Sequence, residues 1–312
     1  MSMSELEMIQ EAVKTSGLNG FTGNFKPLGG GELNNTYVLE LSDEKVILRI
    51  AKYADQDSLY REAKALELID LVHQVPRLIF FDRNEKINNR SWIIEGFIGG
   101  LSVDRLNLPQ FSDLGELLAK IHQSSKQEDE LHVWPKFLEA CQSFGNEKYL
   151  INHPDGVLQQ LIEHARKTLF PAFQEQTSTI TQSLIHGDTT PSNLLVEGSS
   201  VRLIDWELSS YSDPMAEFST IYYEDIDYNN GKWRLKIKPE EKRKLFEGYE
   251  SAGGRIDEAR IRFWIIFDKL GAAIFLYWRI HNSGREADAK QLEQYRVDYK
   301  NIVNSLEHEL LA

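Results

Sequence analysis

The sequence predicts an α+β chain in two parts, a strand-rich N-terminal part with one main helix and a larger, mainly helical C-terminal part. Two patterns carry this reading. Up to about Ile94 short alternating strand segments flank a single helical stripe, and beyond Gly100 apolar residues recur mainly at helical spacing. With 312 residues, 41% hydrophobic and 27% charged, the chain can fill two separate cores. The division falls at 1–95 and 101–312, with 96–100 as a hinge.

In the first part, Gly29, Gly30 and Gly31 precede Asn34 and an alternating segment through Leu41, which reads as a glycine-rich hairpin entering a strand. Glycines let a backbone approach phosphate oxygens without a Cβ clash. By itself the signal is weak, because Asn34 stands where a G-x-G-x-x-G pattern needs its third glycine. The next strand, Lys45 to Ile50, puts Val46, Leu48 and Ile50 on one face and Ile47 and Arg49 on the other. A helix from about Ser58 to Val72 follows, with Glu62 inside the apolar stripe of Leu59, Ala63, Leu66 and Ile69. A carboxylate there needs a partner, and Arg49 is the natural one. Trp92 to Gly100 is a strand running into a glycine-flanked connector, whose backbone at Glu95, Phe97 and Ile98 would meet a nucleobase.

The second part opens with a helix for which Ser112 is the expected cap, carrying Leu114, Leu117, Leu118 and Ile121 and ending at His122. Further on stands the most informative stretch, His186-Gly187-Asp188-Thr189-Thr190-Pro191-Ser192-Asn193, followed by Asp205 in Ile204-Asp205-Trp206-Glu207. An H-x-D-x-x-x-x-N loop offers an aspartate that can take a proton from a hydroxyl and an asparagine that can bind Mg²⁺, and a second aspartate completes such a metal site. Apolar runs on either side of Glu197-Gly198-Ser199-Ser200 predict a hairpin that returns Asp205 to Asn193. Ser212-Asp213-Pro214 reads as an N-cap before an N1 proline.

In this order, the glycine hairpin, strand Arg49, helix Glu62, H-G-D-x-x-x-x-N loop and I-D-W segment resemble the aminoglycoside phosphotransferase and choline kinase superfamily, the small-molecule branch of the protein-kinase-like fold. The resemblance spans roughly Phe25 to Trp278. It implies two lobes, an N-terminal antiparallel-sheet lobe with one helix and a helical C-terminal lobe. It further implies ATP, or another nucleoside triphosphate, and Mg²⁺ as cofactors. On the same basis Asp188 is the catalytic aspartate, Asn193 and Asp205 bind the metal, and Arg49 with Glu62 positions the nucleotide phosphates. Gly187 in place of the arginine of H-R-D, Thr190 in place of lysine, D-W-E in place of D-F-G and the lack of A-P-E separate the chain from protein kinases. The acceptor is then a hydroxyl on a small molecule, an aminoglycoside-like antibiotic or an amino alcohol such as choline or ethanolamine. A silent nucleotide-binding regulator is the reading of another class.

A net charge of −13 argues against nucleic acid and would favour a cationic acceptor by steering, although acidic surfaces also serve solubility. Glu224 and Asp225 in the Tyr222–Asp227 cluster, with Asp268 and Trp278 on a helix from Ile261 to His281, are the acceptor-side candidates, since an acid among aromatics can hold an ammonium. The single cysteine, Cys141, excludes an intrachain disulfide and reads as a core residue. The N-terminus carries no secretion pattern and Phe263 to Trp278 is too short and interrupted for a membrane span, so a cytoplasmic protein is expected. Oligomeric state is not legible.

Overall fold

The fold was analysed in a computed structural model, which describes residues 3–28, 33–53, 58–129, 131–142, 153–177, 180–282 and 289–311. A helix that the sequence reading did not foresee, α1 (Glu5–Ser16), begins it. Ser4 and Glu7 close a capping box at its start, and Gly17 ends it at φ 67°. Next come β1 (Phe21–Pro27), β2 (Asn34–Leu41), β3 (Lys45–Ala51), α2 (Ser58–Leu68), β4 (Leu78–Phe80) and β5 (Trp92–Gly96), forming an antiparallel sheet in the order β1-β2-β3-β5-β4.

The alternation read from β3 decides what each face does. Leu48 and Ile50 join Leu39, Trp92 and Ile94 in one apolar cluster, which Met8, Ile9 and Ala12 of α1 complete. Arg49 points the other way, toward α2. That helix buries Leu59, Ala63 and Leu66 in a second cluster, which continues without a break into the helical lobe through Phe111, Leu114 and Trp206. The loop after α2 is tied to the same lobe: Gln74 donates to Asp113 and to the Val201 carbonyl, both at 2.8 Å, and its own carbonyl accepts from Leu203 N–H at 3.0 Å.

Past the connector, β6 (Leu101–Ser102) leads to α3 (Leu108–Ser124), and β7 (Lys126–Gln127), α4 (Val133–Gln142), α5 (Gly156–His164) and α6 (Phe170–Thr177) follow. The cap of α3 is Asn107 and not Ser112. Asn107 and Gln110 exchange reciprocal cap bonds of 3.0 and 2.9 Å, and Pro109 suits the first turn, so helix forms earlier than an expectation based on the apolar stripe alone. Cys141 is buried on α4, which pushes its thiol up to about 12 and leaves it unreactive. Next are β8 (Gln182–Ile185), β9 (Leu194–Glu197), β10 (Ser200–Leu203), β11 (Ser210–Ser212), a short α7 (Ala216–Ser219), β12 (Tyr222–Tyr223) and β13 (Leu235–Lys236). Three long helices close the chain: α8 (Pro239–Ser251), α9 (Glu258–Asn282) and α10 (Ala289–Leu311). Among the described residues, no helix is long and apolar enough to cross a membrane.

Helices α3 and α8 meet backbone to backbone. A Cβ on Gly248 would overlap the Ser112 carbonyl oxygen, and one on Gly115 would overlap that of Leu245. Gly248→Ala is therefore expected to destabilise the protein by about 1–3 kcal/mol through overpacking, seen as a lower melting temperature. An unchanged melting temperature would show that the two helices can part at no cost.

Candidate active site

Strand β8 delivers the chain into the loop His186–Thr190, and a turn of 3₁₀ helix over Pro191–Asn193 passes it to β9. The β9–β10 hairpin has the register Leu194↔Leu203 through Glu197↔Ser200, with Gly198 in its turn at φ 63°. This pairing, extended by Ile204 N–H donating to the Asn193 carbonyl at 3.0 Å, sets Asp205 beside Asn193 as the sequence led us to expect. Asn193 donates its side-chain amide to the Asp188 carboxylate at 2.8 Å and to the Asp188 carbonyl at 2.9 Å. Both N–H groups are thereby engaged, and Oδ1 remains the acceptor of that amide.

His186 holds the loop's shape. Its Nδ1 accepts from Asp188 N–H at 3.2 Å, so Nε2 carries the proton and donates to the Ile204 carbonyl at 3.0 Å, while the ring stands edge-on to Trp206. Gly187 adopts φ 79°, and a Cβ there would lie 2.6 Å from the Leu208 carbonyl oxygen, so an arginine could not take this place. Beneath the loop, the fully buried Glu217 carboxylate accepts from His186 N–H at 2.5 Å, Gly187 N–H at 3.2 Å and the Thr189 hydroxyl at 2.7 Å. Burial alone would raise its pKa, but the His122 and His186 side chains and the donated hydrogen bonds outweigh it and hold the carboxyl down at about 2.

Facing the loop from β3, the Arg49 guanidinium lies 2.5 Å from Glu62 and 2.8 Å from Asp205, and Glu207 is 3.4 Å away. Glu62 is fully buried and also accepts from Trp206 N–H at 3.0 Å. Burial works against the charge on Arg49, yet Glu62, Asp205 and Glu95 together raise its pKa. Asp205 itself sits at φ 70°, a left-handed backbone that a non-glycine residue adopts only under constraint. Asn34 donates to Glu207 at 2.6 Å, bringing β2 into the same network. Gly29, Gly30 and Gly31 lie outside the described residues.

The Asp188 carboxyl is held above the ordinary aspartate value. Burial, with the Asp205 charge, raises it more than Arg234, His186 and the Asn193 hydrogen bond lower it. Glu95, buried on β5, is pushed up to about 7 by burial against the pull of Arg49. Phe97 of the connector is 44% exposed, and Ile98 follows it.

The four acceptor-side candidates do not form one site. Asp268 is already paired with Arg234 through two bonds of 2.9 and 3.1 Å and accepts from the Tyr223 hydroxyl at 2.8 Å, so its charge is not left open for an ammonium. Arg234 in turn acts electrostatically on Asp188, which places this group on the catalytic side. Glu224 and Asp225 instead pair with Lys242 at 2.6 Å and Lys269 at 2.9 Å, and both line a different cavity of about 670 Å³ bounded by α8, α9 and α10. None of that cavity's lining residues comes from the catalytic loop or its hairpin. Trp278 is half-buried and stacks on Phe275. Asp213, read as a cap, lies outside α7, whose cap position is Met215 with no side-chain cap bond; its carboxylate accepts from Met215 N–H at 2.9 Å. It is fully buried and also binds Arg260 and Trp264.

Three residues of the site were missed: Glu207, Glu217 and Arg234. Glu217 had a signal, since a carboxylate between Met215, Ala216 and Phe218 is the same anomaly that singled out Glu62. Arg234 had none, because its partners lie in other elements.

A five-stranded antiparallel lobe and a helical lobe, with a loop aspartate, a hairpin-borne aspartate and a strand arginine converging between them, define the kinase-like fold. The chain belongs to the phosphotransferase enzyme family, whose model matches residues 24–264. Solved structures agree in fold. A putative aminoglycoside phosphotransferase from Ralstonia eutropha superposes with a TM-score of 0.71 at 15% identity, covering 97% of this chain and 98% of that one. The choline kinase LicA from Streptococcus pneumoniae gives 0.64 at 16% identity, covering 96% and 98%. A spectinomycin phosphotransferase, solved with ADP and spectinomycin, gives 0.62 at 16% identity over the same shares. No curated protein sequence matches.

Proposed function

We propose that the protein transfers the γ-phosphoryl group of ATP, with Mg²⁺, to a hydroxyl group of a small molecule. The observation that carries this is the convergence of Asp188, Asn193 and Asp205 at one end of the Arg49–Glu62 pair. Residues 1–95 form the nucleotide lobe, 96–100 the hinge and 101–312 the lobe that holds the acceptor.

The donor set suits Mg²⁺. Asn193 Oδ1 is left over once its amide protons are used, and Asp205 supplies a carboxylate whose Oδ2 makes no bond to Arg49, which would suit the preference of Mg²⁺ for hard oxygen ligands. When bound, the ion would neutralise charge on the phosphates. Asp188 accepts the proton of the acceptor hydroxyl and aims its oxygen at the phosphorus, with Asn193 fixing the carboxylate's rotation. Arg49, braced by Glu62, offers its guanidinium fork to nucleotide phosphate oxygens.

The structural relatives include proteins named for choline, for spectinomycin and for aminoglycosides, so the first acceptors to try are amino alcohols and aminoglycosides. ADP release should be Mg²⁺-dependent and should rise with one acceptor of a panel of aminoglycosides, choline, ethanolamine and sugars. Tight ATP binding with no turnover on any of them would favour a silent nucleotide-binding protein.

A further inference from the structure

An ammonium group is read by a carboxylate and by aromatic faces, and α9 carries both, Asp268 first and Phe275 and Trp278 further along. In this chain each is already met by a cation of its own. Asp268 takes Arg234 Nε and Nη2 at 2.9 and 3.1 Å. The Arg279 guanidinium lies 5.4 Å from the ring centre of Phe275 and 5.9 Å from that of Trp278.

Between these two ends the helix surface is open. Asp268, Gly271 and Phe275 stand a turn apart on one face, and a Cβ on Gly271 would meet no atom of the described residues within 4 Å. Trp233, edge-on to Phe275 with ring centres 6.0 Å apart, and its neighbour Arg234 border that face from the opposite segment. The side chains of Arg234 and Asp268 keep 12% and 25% of their surface. The face also adjoins the catalytic loop. Leu235 N–H donates to the Ile221 carbonyl at 3.0 Å, and Thr189 N–H donates to the Thr220 hydroxyl at 3.2 Å, so one short segment ties the neighbours of Arg234 and Asp188 together.

What Arg234 has left to offer is donors. One N–H at each of its three nitrogens is used, two on Asp268 and one on the Trp233 carbonyl at 2.8 Å. The second N–H of each terminal nitrogen has no hydrogen-bond partner among the described residues. An ammonium arriving here would find the carboxylate paired and a guanidinium over the rings, whereas an oxygen lone pair would find a charged donor. We propose that Arg234 binds an oxygen of the acceptor next to the reacting hydroxyl, so that the substrates are polyhydroxyl or hydroxy-acid compounds and not amino alcohols; this rests on the kinase reading above.

The test is Mg²⁺-dependent ADP release by the full-length protein with choline, ethanolamine and kanamycin, with ribose and glucose, and with glycerate and gluconate. One of the last four should be preferred. Ribose or glucose would assign a neighbouring hydroxyl to Arg234, glycerate or gluconate a carboxylate. Arg234→Met should raise KM for that acceptor by about tenfold to a hundredfold, the range for a hydrogen bond from a charged group, and Arg234→Lys should recover part of it. Because methionine uncovers Asp268, choline should in turn become a better acceptor for Arg234→Met than for wild type, which a merely structural arginine would not bring about. Gly271→Leu leaves the ion pair intact and fills the open face, and should raise the same KM with ATP binding and melting temperature kept. A wild type that prefers choline, ethanolamine or kanamycin, or a KM unmoved in both Arg234→Met and Gly271→Leu, overturns the assignment and leaves the kinase reading intact. ATP binding without turnover on any of the seven compounds overturns both.

Discussion

Asp188→Ala is expected to lower kcat for phosphoryl transfer by about 10²–10⁴-fold, the share that a positioned general base contributes. The binding of ATP should change little, because Asp188 makes no contact with the Arg49–Glu62 pair and its bonds are local, to Asn193 and His186. Turnover measured as ADP release, beside the thermal shift given by ATP and Mg²⁺, separates the two effects. A variant that retains wild-type turnover would remove Asp188 from the chemistry. The same residue sets a pH dependence. The carboxylate must be ionised to accept a proton, so activity falls as pH drops through its pKa, which burial places above the ordinary aspartate value. Arg234 is the strongest influence in the other direction. Arg234→Met should therefore move the acid limb of the rate profile to higher pH, and a limb that stays in place or moves down would contradict the geometry around Asp188.

Glu217→Ala should cost about 3–5 kcal/mol, the scale for breaking a buried, multiply bonded charge. The carboxylate is the acceptor for two successive backbone N–H groups of the catalytic loop and for two threonine hydroxyls; alanine takes that acceptor from the His186 and Gly187 N–H groups and the Thr189 hydroxyl, while the Thr220 hydroxyl keeps its bond to the carbonyl of residue 217. Its pKa is depressed relative to the unfolded chain, so its stabilisation is full above the ordinary glutamate range and is lost as pH falls toward about 2. The melting temperatures of wild type and variant should differ widely at pH 7 and converge in acid. A constant difference would place the effect in packing. Glu217→Gln restores the volume but can turn only one acceptor oxygen to these donors, and should recover only part of the loss.

What could be read from the chain and what could not follow from the range of each interaction. The β9–β10 hairpin and the return of Asp205 to Asn193 are local, set by a turn at Gly198 and by strand alternation, and both were legible. The Arg49–Glu62 pair is long in space but short in argument, because a carboxylate in an apolar stripe demands a cation and one was waiting on the neighbouring strand. Asp268 followed the same logic to the wrong partner. A carboxylate among aromatics suggested an ammonium from outside, and Arg234 on a distant segment fills that place instead. Asn107 was passed over as a cap because the apolar stripe of α3 starts a turn later than its hydrogen bonds do. Glu224 and Asp225 looked near the site along the chain, but β12 ends just before them and they face another cavity.

The sheet divides the hydrophobic interior unevenly, with α1 sealed against its outer face and α2 absorbed into the core of the helical lobe. Glu62 within α2 and Gln74 in the loop after it add polar ties to the segment that carries Asp205. A kinase that switches itself off by swinging this helix away would have to tear open that core. Here the helix is fastened to the lobe it would have to leave, and that packing holds Glu62 against Arg49. Moving α2 outward would therefore cost the helical lobe part of its own interior, which ties the position of Glu62 to the integrity of that lobe.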